Sequence, residues 1–235
     1  MSILPTPPVP DLARVRGETV AEAELWLTKY FNRDGAPFNY RRGTRIVRGA
    51  YKGLHNINQL KAGCEDEKTA VGKSSNRDVV SLAAPLAFDR STQVFDLPPR
   101  RFRFGQDRSA AYRIPFFFVE DGIIHVYYLQ PRKAAGLDFD ELCMVATIAK
   151  THLLDTEFFG EKCDIEFVDV SAAEDGGDRA VRKYKLSDME LWSEKRLADR
   201  MSLLSEALEN VSAGGKVEQR RRAYRRPEPD MPLFD

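Results

Sequence analysis

The stretch RIPFFFVEDGIIHVYYLQPRK, residues 113–133, contains two apolar runs on either side of a polar turn. Residues 114–119 and 123–129 are almost continuously apolar rather than alternating, which is typical of central strands covered on both faces. The turn between them contains Asp121-Gly122, a dipeptide favoured in β-hairpins. The stretch therefore predicts a buried antiparallel hairpin, and the rest of the fold can be placed around it.

A helix and a third strand follow the hairpin. Residues 137–154 place Asp138 three positions before Glu141, a capping arrangement, and carry apolar residues at helical spacing. Residues 163–171 then read as a strand. Because strand, helix and strand in this order form a crossover unit, the second hairpin strand and the strand at 163–171 should be parallel in one sheet.

Helices are also predicted near both ends of the chain. Thr19 lies three positions before Glu22 and opens an amphipathic helix that should end near Gly35. Ser187 and Glu190 have the same spacing before a helix with Leu197, Met201, Leu204, Leu208 and Val211 on one face, which runs to Gly214-Gly215.

The segments between the first helix and the hairpin give weaker signals. Residues 38–61 are basic and contain three glycines, which favours short strands and turns before a small helix. Residues 63–78 are polar and are interpreted as an exposed loop. Residues 92–97 are interpreted as a strand or a buried segment. Residues 100–104 are interpreted as a short strand with arginine and phenylalanine in alternation.

The expected fold is α/β, a mixed sheet flanked by helices, with a C-terminal helix and a flexible tail. Pro5, Pro7, Pro8 and Pro10 indicate a flexible arm over residues 1–16. One α/β domain should then span residues 17–211, which is a length sufficient for one sizeable core. Residues 212–235 contain too few apolar residues to fold alone and are expected to be a disordered, arginine-rich tail.

Composition excludes few functions. Thirty-six Lys and Arg balance thirty-six Asp and Glu, so the net charge itself does not indicate an acidic partner. No apolar run reaches the roughly 20 residues of a membrane helix, and the first residues lack the pattern of a secretion signal, so we expect a cytoplasmic protein without membrane contact. Cys64, Cys143 and Cys163 are widely spaced, which predicts reduced thiols and no metal site.

The hairpin resembles the core of the PD-(D/E)xK, or restriction-endonuclease-like, superfamily over about residues 94–171. Pro115 precedes the first strand, Asp121-Gly122 forms the turn, and Gln130-Pro131 ends the second strand in a similar frame. The resemblance places Phe116, Tyr128 and Gln130 where active members carry Asp, Glu and Lys. Two aromatic rings and an amide do not form the carboxylate site that Mg²⁺ requires, so the resemblance implies an inactive nuclease-like domain without a cofactor.

A displaced active site is the enzymatic alternative. Asp121, Gln130 and Lys133, together with Glu24 from the first helix, would then rebuild a site for Mg²⁺-dependent phosphodiester cleavage, with Gln130 in place of the usual Glu and Lys133 assisting beside the metal. Asp is, however, favoured in turns for its backbone geometry alone, and Lys133 follows Pro131, outside the strand.

Clusters of cations suggest contact with DNA, because phosphate contacts supply most non-specific affinity. Tyr40, Tyr51 and Phe102 lie among them and are candidates for stacking on bases. The candidate nucleic-acid-binding residues are Arg41, Arg42, Arg45, Arg48, Lys52, Arg101, Arg103, Arg132, Lys133, Arg220, Arg221, Arg222, Arg225 and Arg226. The other interpretation of these charges is a solvated surface paired with acidic neighbours.

The last residues resemble the bacterial sliding-clamp-binding peptide. Met231, Leu233 and Phe234 match its apolar anchors, whereas Asp230 replaces the usual leading Gln. We therefore expect a catalytically inactive DNA-binding module, an accessory component of a DNA-processing assembly. The alternatives are a metal-dependent nuclease with the displaced site and a protein-interaction scaffold that does not bind nucleic acid.

Overall fold

The computed structural model describes residues 4–33, 40–134, 136–172, 177–215 and 217. Helices and strands alternate irregularly along these residues. The helices are α1 (Val9–Ala13), α2 (Val20–Phe31), α3 (Arg41–Tyr51), α4 (Ile57–Ala62), α5 (Ala70–Ala83), α6 (Phe139–Ala149), α7 (Asp155–Glu157) and α8 (Glu194–Ala213). The strands are β1 (Gln93–Asp96), β2 (Arg101–Phe104), β3 (Arg108–Ala111), β4 (Phe116–Glu120), β5 (Ile123–Gln130), β6 (Cys163–Asp169) and β7 (Arg182–Tyr184).

Five strands of the described residues form a mixed sheet in the order β1-β4-β5-β6-β7. β4 and β5 are the predicted antiparallel hairpin, with Phe118 opposite His125. α6 connects β5 to β6, and these two strands are parallel, as the crossover rule predicts. β2 and β3 form a separate antiparallel hairpin. The mixed α/β class is therefore confirmed.

Each face of the sheet has its own apolar core. On one face, Val126 and Tyr128 of β5 pack with residues of α2, α6 and α8 and with Phe102 and Phe104 of β2. On the other face, Phe116, Phe118 and Tyr127 pack with residues of α3 and α5 and with the 3₁₀ turn Ala84–Ala87. Since successive residues of a strand point to opposite faces, this division explains why both hairpin strands are continuously apolar.

Two segments upstream of the hairpin are helical, contrary to the sequence prediction. Residues 41–51 form α3 rather than short strands, because Ile46, Val47, Ala50 and Tyr51 bury one side of a helix and the arginines remain on the other sides. Residues 70–83 form α5 rather than continuing the exposed loop, and the Thr69 side chain accepts the Gly72 N–H at its start. The basic, glycine-containing composition concealed α3, and the polar composition of residues 63–78 concealed the start of α5.

The prediction of a flexible arm over residues 1–16 is wrong from Leu4 onward. Val9, Leu12 and Val15 are buried in the core shared with α6 and α8. Pro8 caps α1 and Pro10 lies in its first turn, where a proline ring costs little because the first N–H groups have no helical partner. The prolines therefore begin a short helix instead of preventing one.

The C-terminal helix α8 begins later than predicted, after Ser193, whose side chain accepts the Arg196 N–H. Ser187 lies instead in a 3₁₀ turn, Leu186–Asp188. The predicted apolar side of α8 is buried, and the helix continues to Ala213. The remaining residues of the expected tail, apart from 214, 215 and 217, lie outside the described residues.

The three cysteines are free thiols, as predicted. Among the described residues, no helix is both long enough and apolar enough to cross a membrane.

Candidate nucleic-acid interface

Helix α3 presents cations on the side opposite to the core. Arg41, Arg45, Arg48 and Lys52 recur at intervals of three or four residues and so share one side of the helix, here called the basic side of α3. Arg41, Arg45 and Lys52 are exposed. With a rise of 1.5 Å per residue, this side is about 16 Å long.

The electrostatics of α3 favour an anion. The helix contains four arginines and no acidic residue, and Arg41 and Arg42 occupy its first turn. The start of a helix carries a partial positive charge, which acidic side chains commonly offset. In α3 the first turn adds positive charge instead, and Tyr40 supplies no side-chain cap. This positive charge favours a bound phosphate near the exposed Arg41 and Arg45.

Two of the predicted cations anchor α3 to its neighbours. Arg42 donates to the Gly63 carbonyl and to Asp66, each at 3.1 Å. Arg48 lies 2.8 Å from the carboxylate of Asp96 on β1. Arg42 and Arg48 are half-buried, so they orient the helix more than they present charge to solvent.

The second predicted group of cations lies on the β2–β3 hairpin. Arg101 and Arg103 are exposed, while Phe102 and Phe104 between them enter the core. Arg101 donates to the side-chain and backbone oxygens of Ser109, both at 2.8 Å. This hairpin packs against the face of the sheet opposite to α3, so the two groups of cations do not form one continuous patch.

Arg132 belongs to a buried ion pair and is not a surface cation. It binds Asp11 with N–O distances of 2.6 and 3.2 Å, and Arg14 lies 3.0 Å from the same carboxylate. Burial raises the pKa of Asp11, but the hydrogen bond and charge of Arg132, the charge of Arg14 and the hydrogen bond from Tyr30 together outweigh burial and leave the pKa below its ordinary value of 3.8. Arg132 is therefore not a phosphate contact, contrary to the sequence prediction. Its neighbour Lys133 is exposed.

The residues of the displaced nuclease site are not brought together. Asp121 lies in the turn before β5 with φ of 52°, and Gln130 is buried at the other end of that strand. The eight residues of β5, which span about 23 Å, lie between them. Glu24 accepts a hydrogen bond from Asn210 of α8, on the helix pair α2–α8. These positions do not share one metal or one water.

The positions implied by the nuclease resemblance lie on opposite faces of the sheet. Phe116 is opposite Tyr127 in the β4–β5 ladder, so Tyr128 points to the other face. Phe116 contributes to the core beneath α3, and Tyr128 to the core beneath α6. Both rings are buried, which agrees with a packing role.

A buried ionic cluster lies beneath the end of α3 and was missed by the sequence analysis. Glu166 of β6 accepts the Tyr51 hydroxyl, both Glu166 oxygens lie 3.1 Å from Arg90, and Lys183 is 2.9 Å away. Arg90 also binds Glu120, with distances of 2.9 and 2.5 Å. These residues are far apart in sequence, so only the sheet register reveals the cluster.

The pKa shifts in this cluster follow from its contacts. The Arg90 hydrogen bond lowers the pKa of Glu120. Burial, together with nearby Tyr127 and Glu166, raises the pKa of Tyr51. Arg90 contacts both carboxylates and Lys183 contacts Glu166. Among the described residues, no group of His, Cys, Asp and Glu is arranged to hold a metal. We interpret the cluster as a support for α3.

The aromatic candidates for base stacking are mostly buried. Tyr51 is 1% and Phe102 is 4% exposed, so neither ring is accessible to a base, and Tyr40 is half-buried beneath Arg179. Phe95 on β1, which the sequence analysis did not select, is 44% exposed. Its signal was its position in a short strand that precedes Pro98-Pro99, where an edge strand is expected.

The remaining predicted contacts lie outside the described residues. These are Arg220, Arg221, Arg222, Arg225 and Arg226, and the peptide residues Asp230, Met231, Leu233 and Phe234.

Comparisons of the chain with protein-family models, with curated proteins and with solved structures found no match of any of the three kinds. The resemblance to the PD-(D/E)xK core therefore stays a hypothesis.

Proposed function

We propose that this chain binds nucleic acid through the basic side of α3, as a non-catalytic module of a DNA-processing assembly. The observation that carries the proposal is the concentration of four arginines, without a carboxylate, in an 11-residue helix of a chain with no net charge. Phosphates attract such a surface and release their counterions when they bind it.

The contacts that hold α3 in place are consistent with this role. Arg48 and Arg42 bind acidic residues and fix the helix, while Arg41, Arg45 and Lys52 face solvent over about 16 Å. At an axial rise of 3.4 Å per nucleotide, that length corresponds to roughly five nucleotides of one strand. The non-catalytic assignment is favoured by the separation of Asp121 from Gln130 and by the buried rings at Phe116 and Tyr128.

The test is fluorescence anisotropy of labelled DNA titrated with the protein over a salt series. The substitutions Arg41→Ser, Arg45→Ser and Lys52→Ser are combined in one variant. The control combines Arg16→Ser, Lys29→Ser and Lys195→Ser, which removes the same charge from exposed positions elsewhere.

We expect the wild type to bind more weakly as salt rises. The α3 variant should lose at least about tenfold in affinity and about two to three units of the logarithmic salt slope, since each of the three lost phosphate contacts contributes roughly 0.7–0.9 unit. The control variant should bind like the wild type. Equal losses in both variants, or no binding at low salt, would contradict the proposal, and the latter would favour the protein-interaction scaffold. Adding Mg²⁺ should cause no cleavage.

A further inference from the structure

Phe95 is an exposed aromatic ring on an edge strand. β1 ends the sheet, and its only neighbour within the described part of that sheet is β4. The Phe95 ring stacks on Phe117, with centroids 5.2 Å apart and planes 17° from parallel. One face of Phe95 is therefore covered by a ring, and 44% of the residue remains accessible to solvent.

The same strand borders the basic side of α3. Asp96 contacts Arg48 at 2.8 Å, and the Thr92 hydroxyl donates to the Tyr51 carbonyl at the end of α3. Neighbouring strand residues point to opposite faces, so Asp96 faces α3 while Phe95 faces the other way. The ion pair between Arg48 and Asp96 thus joins α3 to one face of the edge strand, and the aromatic ring lies on the other face.

We propose that the nucleic acid bound by α3 is single-stranded, and that one of its bases stacks on Phe95 as the strand passes around the edge of β1. This inference rests on the proposed function. In a duplex, paired bases are held inside, so a phosphate bound at α3 leaves its base unable to reach Phe95. A single strand can turn a base away from its phosphates and place it on an aromatic ring.

Cations are present on both sides of this path. The chain continues from β1 through Leu97, which packs in the same core as Phe102 and Phe104 of the β2–β3 hairpin. The exposed Arg101 and Arg103 of that hairpin therefore lie on the face to which Phe95 points. A strand that leaves α3 and crosses β1 meets further positive charge, which a flexible backbone can follow.

The experiment compares a labelled oligothymidylate with a labelled duplex at one salt concentration. Phe95 is replaced by Ala, by Leu, which keeps apolar bulk for folding, and by Trp, which keeps a stacking ring. The control is Phe139→Ala, because Phe139 is 50% exposed and contacts Tyr184 at the opposite edge of the sheet.

We expect the wild type to bind the oligothymidylate more tightly than the duplex. Phe95→Ala and Phe95→Leu should weaken oligothymidylate binding at least about fivefold, as loss of a base stack does in single-strand-binding proteins, and should leave duplex binding unchanged. Phe95→Trp should retain affinity, and its added indole fluorescence should be quenched by the oligothymidylate. Phe139→Ala should bind like the wild type.

Two results would overturn the inference while leaving the proposed function intact. These are salt-dependent binding in which duplex and oligothymidylate are equivalent, and unchanged oligothymidylate binding by Phe95→Leu. Absence of binding to both probes would remove the proposed function itself, and with it this inference.

Discussion

The backbone N–H of Gly43 donates a 2.8 Å hydrogen bond to the side-chain oxygen of Asn76. Gly43 is the third residue of α3, and the first N–H groups of a helix have no partner within the helix. Tyr40 supplies no side-chain cap, so Asn76 of α5 caps α3 from a neighbouring helix. The Asn76 amide also donates to the Gly72 carbonyl at 2.9 Å, which fixes its orientation.

Asn76→Ala should therefore destabilise the fold. Asn76 is fully buried, and its loss leaves the Gly43 N–H without an acceptor. We expect the free energy of unfolding in urea to fall by about 1–3 kcal/mol. Asn58→Ala is the control, because Asn58 is exposed, and it should change the free energy by less than about 0.5 kcal/mol. Equal effects of the two substitutions would contradict the capping role.

Gly43→Ala tests the same contact from the other side. An added Cβ would lie 2.7 Å from the Asn76 side-chain oxygen, so the substitution should destabilise the wild type despite the better helix propensity of alanine. In the Asn76→Ala background that obstacle is absent, and Gly43→Ala should be neutral or stabilising by up to about 1 kcal/mol. Additive effects in this double-mutant cycle would show that the contact does not limit the approach of α3 to α5.

This contact also shows where sequence reasoning reaches its limit. The β4–β5 hairpin, α6 and β6 could be predicted because their apolar patterns are local and continuous. α3 was missed because two glycines and four arginines hide its apolar side. The need for glycine at position 43 is explained only by the contact with Asn76, 33 residues away. The burial of the N-terminal segment was missed for a related reason, because it depends on packing against α6 and α8, which lie far along the chain.

Only some residues of the candidate interface could likewise be identified from the sequence. The cations of α3 and β2 could be found by composition alone. The ion pairs Arg48–Asp96 and Arg132–Asp11 could not be predicted, because ion pairs between distant segments leave no local sequence pattern. Phe95 was missed because exposure at the edge of a sheet depends on strand order.

Tyr51 and Tyr127 provide a matched pair of buried hydroxyl groups. The Tyr51 hydroxyl donates to Glu166, whereas among the described residues the Tyr127 hydroxyl makes no hydrogen bond to a carboxylate. Tyr51→Phe should lower the free energy of unfolding by about 1–3 kcal/mol, because a buried carboxylate loses a donor. Tyr127→Phe should be neutral or stabilising. Chemical denaturation of both variants measures the difference, and a larger loss for Tyr127→Phe would contradict the assignment.

Glu120 should contribute to loss of stability in acid. The Arg90 hydrogen bond lowers the pKa of Glu120 in the folded state, so the unfolded chain takes up a proton first as pH falls. Stability from this group is present above its ordinary pKa of 4.5 and is lost progressively below it. Urea unfolding between neutral pH and pH about 3 should therefore be less pH-dependent in Glu120→Gln than in the wild type. Identical pH dependence would exclude this contribution.

The N-terminal segment should be part of the folding unit. Leu12 is fully buried, whereas Leu25 of α2 is 59% exposed, so the same substitution can be compared at two sites. Leu12→Ala should cost about 2–5 kcal/mol, because it removes buried apolar surface and leaves a cavity. Leu25→Ala should change stability by less than about 0.5 kcal/mol. Thermal and urea unfolding give both values, and a Leu12→Ala variant as stable as the wild type would restore the interpretation of this segment as a flexible arm.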